Sequence, residues 1–318
     1  TGALESGASS DDTVLSLSGT VTEGHTIRIY DGETLLGSAT VSGTSWSYEA
    51  AIVDGTAHSF SYSEIDRAGN ESEKSALFSV TGDTTAPDLE GKAPVVTDDV
   101  GALTGALSDG NATDDTALAL SGTLTAPGGT VEVFNGATSL GAATVSGDSW
   151  SFQAAVSDGE SYAFAYKETD AAGNVSALSE KLTISADTGA PTAASGTGVA
   201  AFLKSSGALS VSSTEAGTAY VVKSTVSVAG LSDILSADAS EWNEVALPEA
   251  GAAVDLPLLG LKEGSYALYV ADAAGNLSAA ASVPGGALLT VDDTAPDIDG
   301  KTITATDDSG SVTGALES

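Results

Sequence analysis

The chain repeats itself, and that constrains its fold more than any other feature. The segment Asp66-Arg67-Ala68-Gly69-Asn70-Glu71-Ser72 returns as Asp170-Ala171-Ala172-Gly173-Asn174-Val175-Ser176 and again as Asp272-Ala273-Ala274-Gly275-Asn276-Leu277-Ser278, at spacings of 104 and 102 residues. A second marker, Asp-x-x-Ala-Pro, begins at Asp83, Asp187 and Asp292. Ser45-Trp46-Ser47-Tyr48 recurs as Ser149-Trp150-Ser151-Phe152, and Thr1-Gly2-Ala3-Leu4 recurs at Thr104–Leu107 and Thr313–Leu316. A period of this length is that of a whole small domain, so the chain reads as a tandem array. The boundaries fall at 1–82, 83–186 and a divergent 187–291, with 292–318 as the first strand of a following unit. The first unit lacks its own first strand, so the chain reads as a piece of a longer array.

Within a unit the apolar residues alternate, as in Thr26-Ile27-Arg28-Ile29-Tyr30 and Thr130-Val131-Glu132-Val133-Phe134. Strict alternation broken by Asp31-Gly32, Asn135-Gly136, Asp54-Gly55 and Asp158-Gly159 predicts antiparallel hairpins. About seven short strands per unit predict an all-β fold of tandem immunoglobulin-like sandwiches arranged as a rod. At about 35 Å per unit the three would span on the order of 100 Å. Ser232 to Ser240 is the one stretch that could carry a helical turn.

Charge narrows the function. The chain has 44 acidic against 10 basic residues, a formal net charge of −34, and no cysteine. Ten scattered Lys and Arg make no basic patch, which excludes nucleic-acid and anionic-membrane partners. Cysteine nucleophiles, thiolate metal sites and disulfides are excluded with the missing Cys. No apolar run approaches a membrane span, and the first residues do not read as a signal peptide. The two histidines, His25 and His58, align with Gly129 and Tyr162 in the next repeat and read as strand-surface residues rather than catalytic bases. No Ser/His/Asp set repeats, so the chain reads as no enzyme. Glu64 with Asp66 could mimic a glycosidase pair, but Val270 stands where Glu64 and Glu168 do.

Many of the 26 Asp collect in four places per unit, whereas the 18 Glu show no such pattern. They lie in the linkers (Asp83, Asp88, Asp187, Asp292, Asp293), after the first strand (Asp98, Asp99, Asp307, Asp308), before the second strand (Asp11, Asp12, Asp109, Asp114, Asp115), and in the Asp-x-x-Gly-Asn loops (Asp66 with Asn70, Asp170 with Asn174, Asp272 with Asn276). Two carboxylates about 4 Å apart repel by roughly 4 kcal/mol at an effective dielectric near 20. A cation between them removes that cost, and an all-oxygen donor set favours several Ca²⁺ ions over Mg²⁺ or a transition metal. Sandwich topology sends each Asp-x-x-Gly-Asn loop to the linker preceding its own unit and the Asp pairs to the linker following it. The clusters should therefore meet at the joints. The bland alternative is that each Asp or Asn simply caps a turn.

The run Val96-Thr97-Asp98-Asp99-Val100-Gly101, then Leu103-Thr104-Gly105-Ala106-Leu107, Thr113-Asp114-Asp115-Thr116, Trp150-Ser151-Phe152 and Asp170 to Ser176 resembles the bacterial Ig-like repeats of giant surface adhesins of the RTX and biofilm-associated (Bap-like) type. That resemblance implies type I export, an extracellular location at the bacterial surface, and extender domains stiffened by Ca²⁺ at their joints, with the adhesive target bound elsewhere on the parent protein. The expected function is a spacer that projects a distal binding region. Its partners would be neighbouring repeats, with strand 292–318 docking head to tail on unit 1 of another molecule. The alternative is a glycan- or peptide-binding module centred on 187–291 and Trp242.

Overall fold

The computed structural model describes residues 2–196, 201–283, 286–303, 305–307 and 314–316, the last two short strands by backbone alone. Two compact units divide the chain: residues 1–189 with 273–276, and 190–272 with 277–318. All but one of the described elements are β-strands, and the domains are immunoglobulin-like sandwiches in tandem.

The first sandwich holds β1 (Ala8–Ser10), β2 (Val14–Thr20), β3 (Thr26–Asp31), β4 (Thr34–Ser38), β5 (Thr40–Ser42), β6 (Ser45–Ala51), β7 (Ala57–Ile65) and β8 (Phe78–Gly82). One sheet runs β1-β8-β7-β3-β4 and the facing one β2-β6-β5. The alternation in β3 buries Ile27 and Ile29 and turns Arg28 outward, and the Asp31-Gly32 turn places Gly32 at φ 55°, where a side chain would be strained.

The second sandwich repeats this plan with a larger second sheet. Its strands are β9 (Val95–Asp98), β10 (Gly105–Ala106), β11 (Asn111–Thr113), β12 (Ala117–Thr123), β13 (Thr130–Asn135), β14 (Thr138–Ala142), β15 (Thr144–Ser146), β16 (Ser149–Ala155), β17 (Ser161–Thr169) and β18 (Leu182–Ala186). They form sheets β10-β9-β12-β16-β15 and β11-β18-β17-β13-β14. Between the first strand β9 and the next long strand β12 lie two short pieces: Gly101 takes positive φ in the turn that pairs β10 back on β9 in one sheet, and Gly110 takes positive φ before β11, which lies in the other. This raises the strand count above the expected seven. β1 and β11 pair in parallel with β8 and β18, closing that edge of each sandwich.

A cross-strand contact explains a recurrent tripeptide. Gly19 and Gly122, in Ser-Gly-Thr of β2 and β12, lie opposite Trp46 and Trp150. A Cβ on either glycine would come within 2.8 Å of the indole, so only glycine lets the ring lie flat over the sheet. Trp150 packs on Tyr166 at a centroid distance of 4.8 Å and anchors a core with Leu118, Leu120, Val131, Val133 and Phe164.

The third sandwich has β19 (Ala193–Ser195), β20 (Phe202–Leu203), β21 (Ala208–Ser213), β22 (Gly217–Lys223), β23 (Trp242–Leu247), β24 (Val254–Pro257), β25 (Gly264–Ala271) and β26 (Leu289–Val291), in sheets β19-β21-β24 and β20-β26-β25-β22-β23. The helical turn expected at Ser232–Ser240 is α1 (Leu231–Ser236), seated by Leu231 and Ile234 and capped by the Asp233 carboxylate on the Ala229 and Gly230 N–H groups. The final hairpin pairs β27 (Ala305–Asp307) with β28 (Gly314–Leu316) in the register of β9 with β10.

Leu118 and Leu120 of β12 are fully buried, whereas their repeat partners Leu15 and Leu17 of β2 are part-exposed. Leu120→Ala is therefore expected to destabilise its sandwich by about 2–5 kcal/mol, and Leu17→Ala by clearly less. Urea unfolding of the whole chain, followed by tryptophan fluorescence, checks the difference.

Candidate functional site: the acidic poles and linkers

The first two Asp-x-x-Gly-Asn loops are self-capped turns. Asp66 Oδ1 accepts the N–H groups of Ala68 and Asn70, and Oδ2 accepts from Asn70 Nδ2 at 2.8 Å. Asp170 does the same with Ala172, Gly173 and Asn174. In the first loop the Asn70 side-chain amide, foremost, and its backbone N–H hold the Asp66 carboxyl below the usual carboxylate range. The turn-capping reading thus accounts for these Asp residues within their own loops.

The Asn residues do more. Asn174 Nδ2 also donates to the main-chain carbonyl of Asp83 at 2.8 Å, and the Asp83 N–H donates to the Ser10 carbonyl at 2.9 Å. Asn276 Nδ2 donates to the Asp187 carbonyl at 2.8 Å, and the Asp187 N–H to the Thr113 carbonyl at 2.9 Å. The two linkers are pinned by the same pair of bonds. At the Asp83 linker the Asp11 carboxylate also closes on the loop, 3.4 Å from where a Gly173 side chain would begin. Asp11, Asp83, Asp170 and Asn174 are therefore neighbours.

A second clamp lay outside the sequence reading. Asp54 Oδ1 accepts the Thr84 N–H at 2.7 Å and Oδ2 the Thr85 hydroxyl at 3.2 Å. Asp158 repeats the bond to Thr188 N–H at 2.7 Å, and Glu263 takes the place of these Asp residues at Asp293 and Thr294. The available signal was the repeated Asp-Gly pair, read as a turn alone. The Thr84 backbone N–H, then its hydroxyl, hold the Asp54 carboxyl below its ordinary value.

Two enclosed carboxylates lie beside the Asp187 linker. Asp98, at the end of β9, accepts the Thr113 hydroxyl on Oδ2 at 2.5 Å and the Val100 N–H on Oδ1 at 2.9 Å. The Asp115 N–H donates to the same Thr113 oxygen at 3.2 Å, and Asp115 Oδ1 accepts the Ala117 N–H at 2.7 Å. Asp98 and Asp115 are 1% and 2% exposed, and Asp115 Oδ2 has no hydrogen-bond partner. Among the described residues neither has a Lys, Arg or His partner. Asp114 approaches from the other side, its Oδ2 about where a Gly101 side chain would stand. In the second unit the carboxylates of Glu215 and Asp272 lie within 4.8 Å of one another. Glu215 corresponds to Glu23 of the first repeat, in Thr22-Glu23 and Thr214-Glu215, a likeness the grouping of Asp residues alone leaves aside.

The remaining candidates stay apart from these groups. Asp12 is exposed, its N–H on the Ser10 hydroxyl. Asp88 and Asp99 are exposed, and Asp88 caps only the Glu90 N–H. Asp109 caps the Thr183 N–H at 2.7 Å, Asp292 caps Thr294, and Asp293 accepts the Ser205 N–H. Asp307 ends β27, and Asp308 lies outside the described residues, as does Thr313.

One further expectation changes. His58 is buried, not a surface residue: its Nδ1 lies 2.7 Å from Asp31 and its Nε2 accepts the Val53 N–H. Because a backbone N–H can only donate, Nε2 is the unprotonated nitrogen. Tyr162 makes the matching bond to the Ser157 N–H, so the pair is a structural exchange between repeats. Glu64 and Glu168 serve as backbone acceptors, in keeping with the weak case for a Glu64–Asp66 pair. Each accepts a backbone N–H from the loop after the second strand, Thr22 and Thr125 respectively, at 2.9 Å.

Residues 90–188 match the family described as the bacterial Ig-like domain. No curated protein matches the chain significantly in sequence. Among solved structures the chain is similar to the fibronectin(III)-like modules of Clostridium thermocellum CbhA, at 13% identity over 57% of this chain and 90% of that one, with a TM-score of 0.34. It is similar to the D1–D4 ectodomain fragment of ICAM-5 at 14% identity, over 89% and 73%, with a TM-score of 0.34. It is also similar to a tetra-tandem repeat in the extending region of a large adhesion protein at 20% identity, over 90% and 73%, with a TM-score of 0.26. With TM-scores this low, none of the three bears on what the chain does. No helix among the described residues is long and apolar enough to cross a membrane.

Two outcomes follow for the linkers. Asn174→Ala is expected to cost about 1 kcal/mol and to speed amide exchange at residues 83–88, read by mass spectrometry. The Asp54 carboxyl is depressed in the folded state, so its clamp contributes above the unfolded carboxylate pKa of about 4 and is lost as pH falls through the lower folded value. Protection of the Thr84 amide should therefore be flat near neutrality and decline only in acid, and Asp54→Ala should remove that pH dependence.

Proposed function

We propose that the chain is an extender region of a large bacterial cell-surface adhesin, a spacer whose joints are stiffened by Ca²⁺ and which projects a distal binding region outward. The observation that supports it best is the enclosed acidic pole beside the Asp187 linker. A buried carboxylate oxygen without a donor is costly. At Asp115 that oxygen sits in one hydrogen-bonded network with the equally buried Asp98, with no basic side chain to neutralise either. The surrounding donors are oxygens only, which suits a hard cation.

Asp98, Asp114, Asp115 and Asp187 are the residues that would hold such an ion at this joint, and Asp11 and Asp83 are their counterparts at the joint before it. The ion would supply positive charge that offsets the repulsion among them. The chain's own contribution is the pinning of the linker: the Asn276 and Asn174 amides fix the carbonyls of Asp187 and Asp83. The bacterial Ig-like match over residues 90–188 supports a bacterial surface setting. Repetition of the same joint suits a part whose work is length and stiffness.

Melting and small-angle scattering, with Ca²⁺ and then with chelator, test this reading. With free Ca²⁺ a hundredfold above Kd each site should add about 2.7 kcal/mol. The expected result is a Tm that rises with Ca²⁺, a smaller rise in Asp115→Asn, and a narrower size distribution than in chelator. An unchanged Tm and an unchanged maximum dimension would overturn it.

A further inference from the structure

Two residues that touch in the first sandwich are both replaced in the second, and the exchange removes a titrating group. His58 of β7 is buried, with its ring stacked on Phe60 and set between two partners. Asp31, at the end of β3, lies 2.7 Å from His58 Nδ1 through Oδ2, and its Oδ1 accepts the Ser59 N–H at 2.7 Å. On the other side Nε2 accepts the Val53 N–H at 3.1 Å. The second sandwich keeps the main-chain bonds and changes the groups that make them. Asn135 stands in the place of Asp31 and accepts the Ala163 N–H at 2.8 Å. Tyr162 stands in the place of His58, and its hydroxyl accepts the Ser157 N–H at 2.9 Å. An imidazole changes charge between about pH 5 and 8, whereas an amide and a phenol do not.

Protonation breaks one of the two ring bonds and keeps the other. The neutral ring donates from Nδ1 to Asp31 and accepts on Nε2. A second proton goes to Nε2, which then aims an N–H at the Val53 N–H, two donors with no acceptor between them. Asp31 keeps its bond and gains a charged partner, so the ring stays with β3 and the 53–56 turn gives way. The other elements around the ring offer no acceptor side chain: β8 sets Val80 opposite His58, β1 sets Ala8 beside Val80, and the facing sheet brings Ala50 and Ile52 to this end of the core. The charged groups on these elements are Asp31, Glu33 paired with Lys74, exposed Glu49, Asp54 in the turn, and Asp11 and Asp83 past the ends of β1 and β8. Arg28 with Glu71 and His25 with Glu64 lie toward the other end of the strands. Among the described residues no Lys or Arg pairs with Asp31 or Asp54. The turn that moves carries the Asp54 carboxylate, which holds the Thr84 N–H and the Thr85 hydroxyl. Gly55 and Thr56 still bond to Gly82, so the turn loosens without unfolding. We infer that His58 is a pH switch on the first linker: its protonation in mild acid frees the Val53 N–H, loosens the 53–56 turn and so weakens the Asp54 clamp on residues 84–85. The second linker, where Asp158 holds the Thr188 N–H, has no such switch.

Amide exchange of the full chain between about pH 8 and pH 5, with rates corrected for the intrinsic effect of pH, tests the switch alongside an NMR titration of the His58 ring protons. The expected result is exchange about three- to tenfold faster at residues 53–56 once His58 is protonated, the loss of one hydrogen bond. A smaller step should appear at residues 84–85, ahead of the deeper one at which Asp54 itself takes a proton. Residues 157–160 and 188–189 of the second sandwich should show no step. His58→Tyr, which installs the residue of the second sandwich, should remove the mild-acid step and leave the deeper one. Asp31→Asn takes away the carboxylate that meets the imidazolium, so it should move the step to lower pH. The inference is overturned by a His58 ring that keeps one protonation state throughout, or by a ring that titrates with no change at residues 53–56. A step that persists in His58→Tyr, and so belongs to His25 or a carboxylate, or an unmoved midpoint in Asp31→Asn, overturns it equally. Chelator is present throughout, so failure here is distinct from failure of the Ca²⁺-stiffened spacer reading.

Discussion

The structure of this chain turns on a single donor, the side-chain amide of the Asn that ends each Asp-x-x-Gly-Asn loop. The Asp at the loop's start collects the loop's own N–H groups and holds the Asn in place. Asn174 spends one N–H on Asp170 and the other on the Asp83 carbonyl, and Asn276 likewise donates to the Asp187 carbonyl. A linker carbonyl would otherwise face water and leave the linker free to swivel. Because the linker N–H is also taken, by Ser10 or Thr113, the backbone is gripped from both sides. The threonines that follow are gripped again by Asp54 and Asp158. A short loop motif thus fixes the backbone of the linker.

Much of this was legible in the sequence because repetition supplies its own comparison. The period, the alternation in β3 and β13, and the Asp-Gly turns point to tandem sandwiches without reference to any other protein. Trp46 and Trp150 read as core, and Gly19 and Gly122 complete that reading once the indoles are seen to lie on them. The less legible parts share a cause: their partners are distant in sequence. Asp54 looks like any turn residue until its bonds to Thr84 and Thr85 are drawn. His58 looks like a surface residue until Asp31 and Val53 enclose it. Glu215 is echoed by Glu23 in the first repeat but stands outside the Asp pattern, and its neighbour Asp272 lies far along the chain.

The distribution of charge gains a structural meaning. The exposed carboxylates, among them Asp88 and Asp99, need no more explanation than solubility. Asp66 and Asp170 are accounted for by the turns they cap. Asp98 and Asp115 are neither exposed nor neutralised by a basic side chain, and Asp115 carries an oxygen with no donor. Native interiors rarely leave such a group unsatisfied, because its desolvation is not repaid. An ion at Asp115 would offset that cost, and the site adjoins a linker that is already pinned. Stiffness at the joint and charge at the pole are, on this account, two sides of one arrangement.

The most direct measurement is anomalous diffraction from crystals of the chain grown with Ca²⁺. The account predicts calcium peaks at the joints, about 2.3–2.6 Å from oxygens of the Asp98, Asp114, Asp115 and Asp187 group and of its counterpart around Asp11 and Asp83. Joints free of calcium, with ions only on exposed carboxylates such as Asp88 or Asp99, would contradict it.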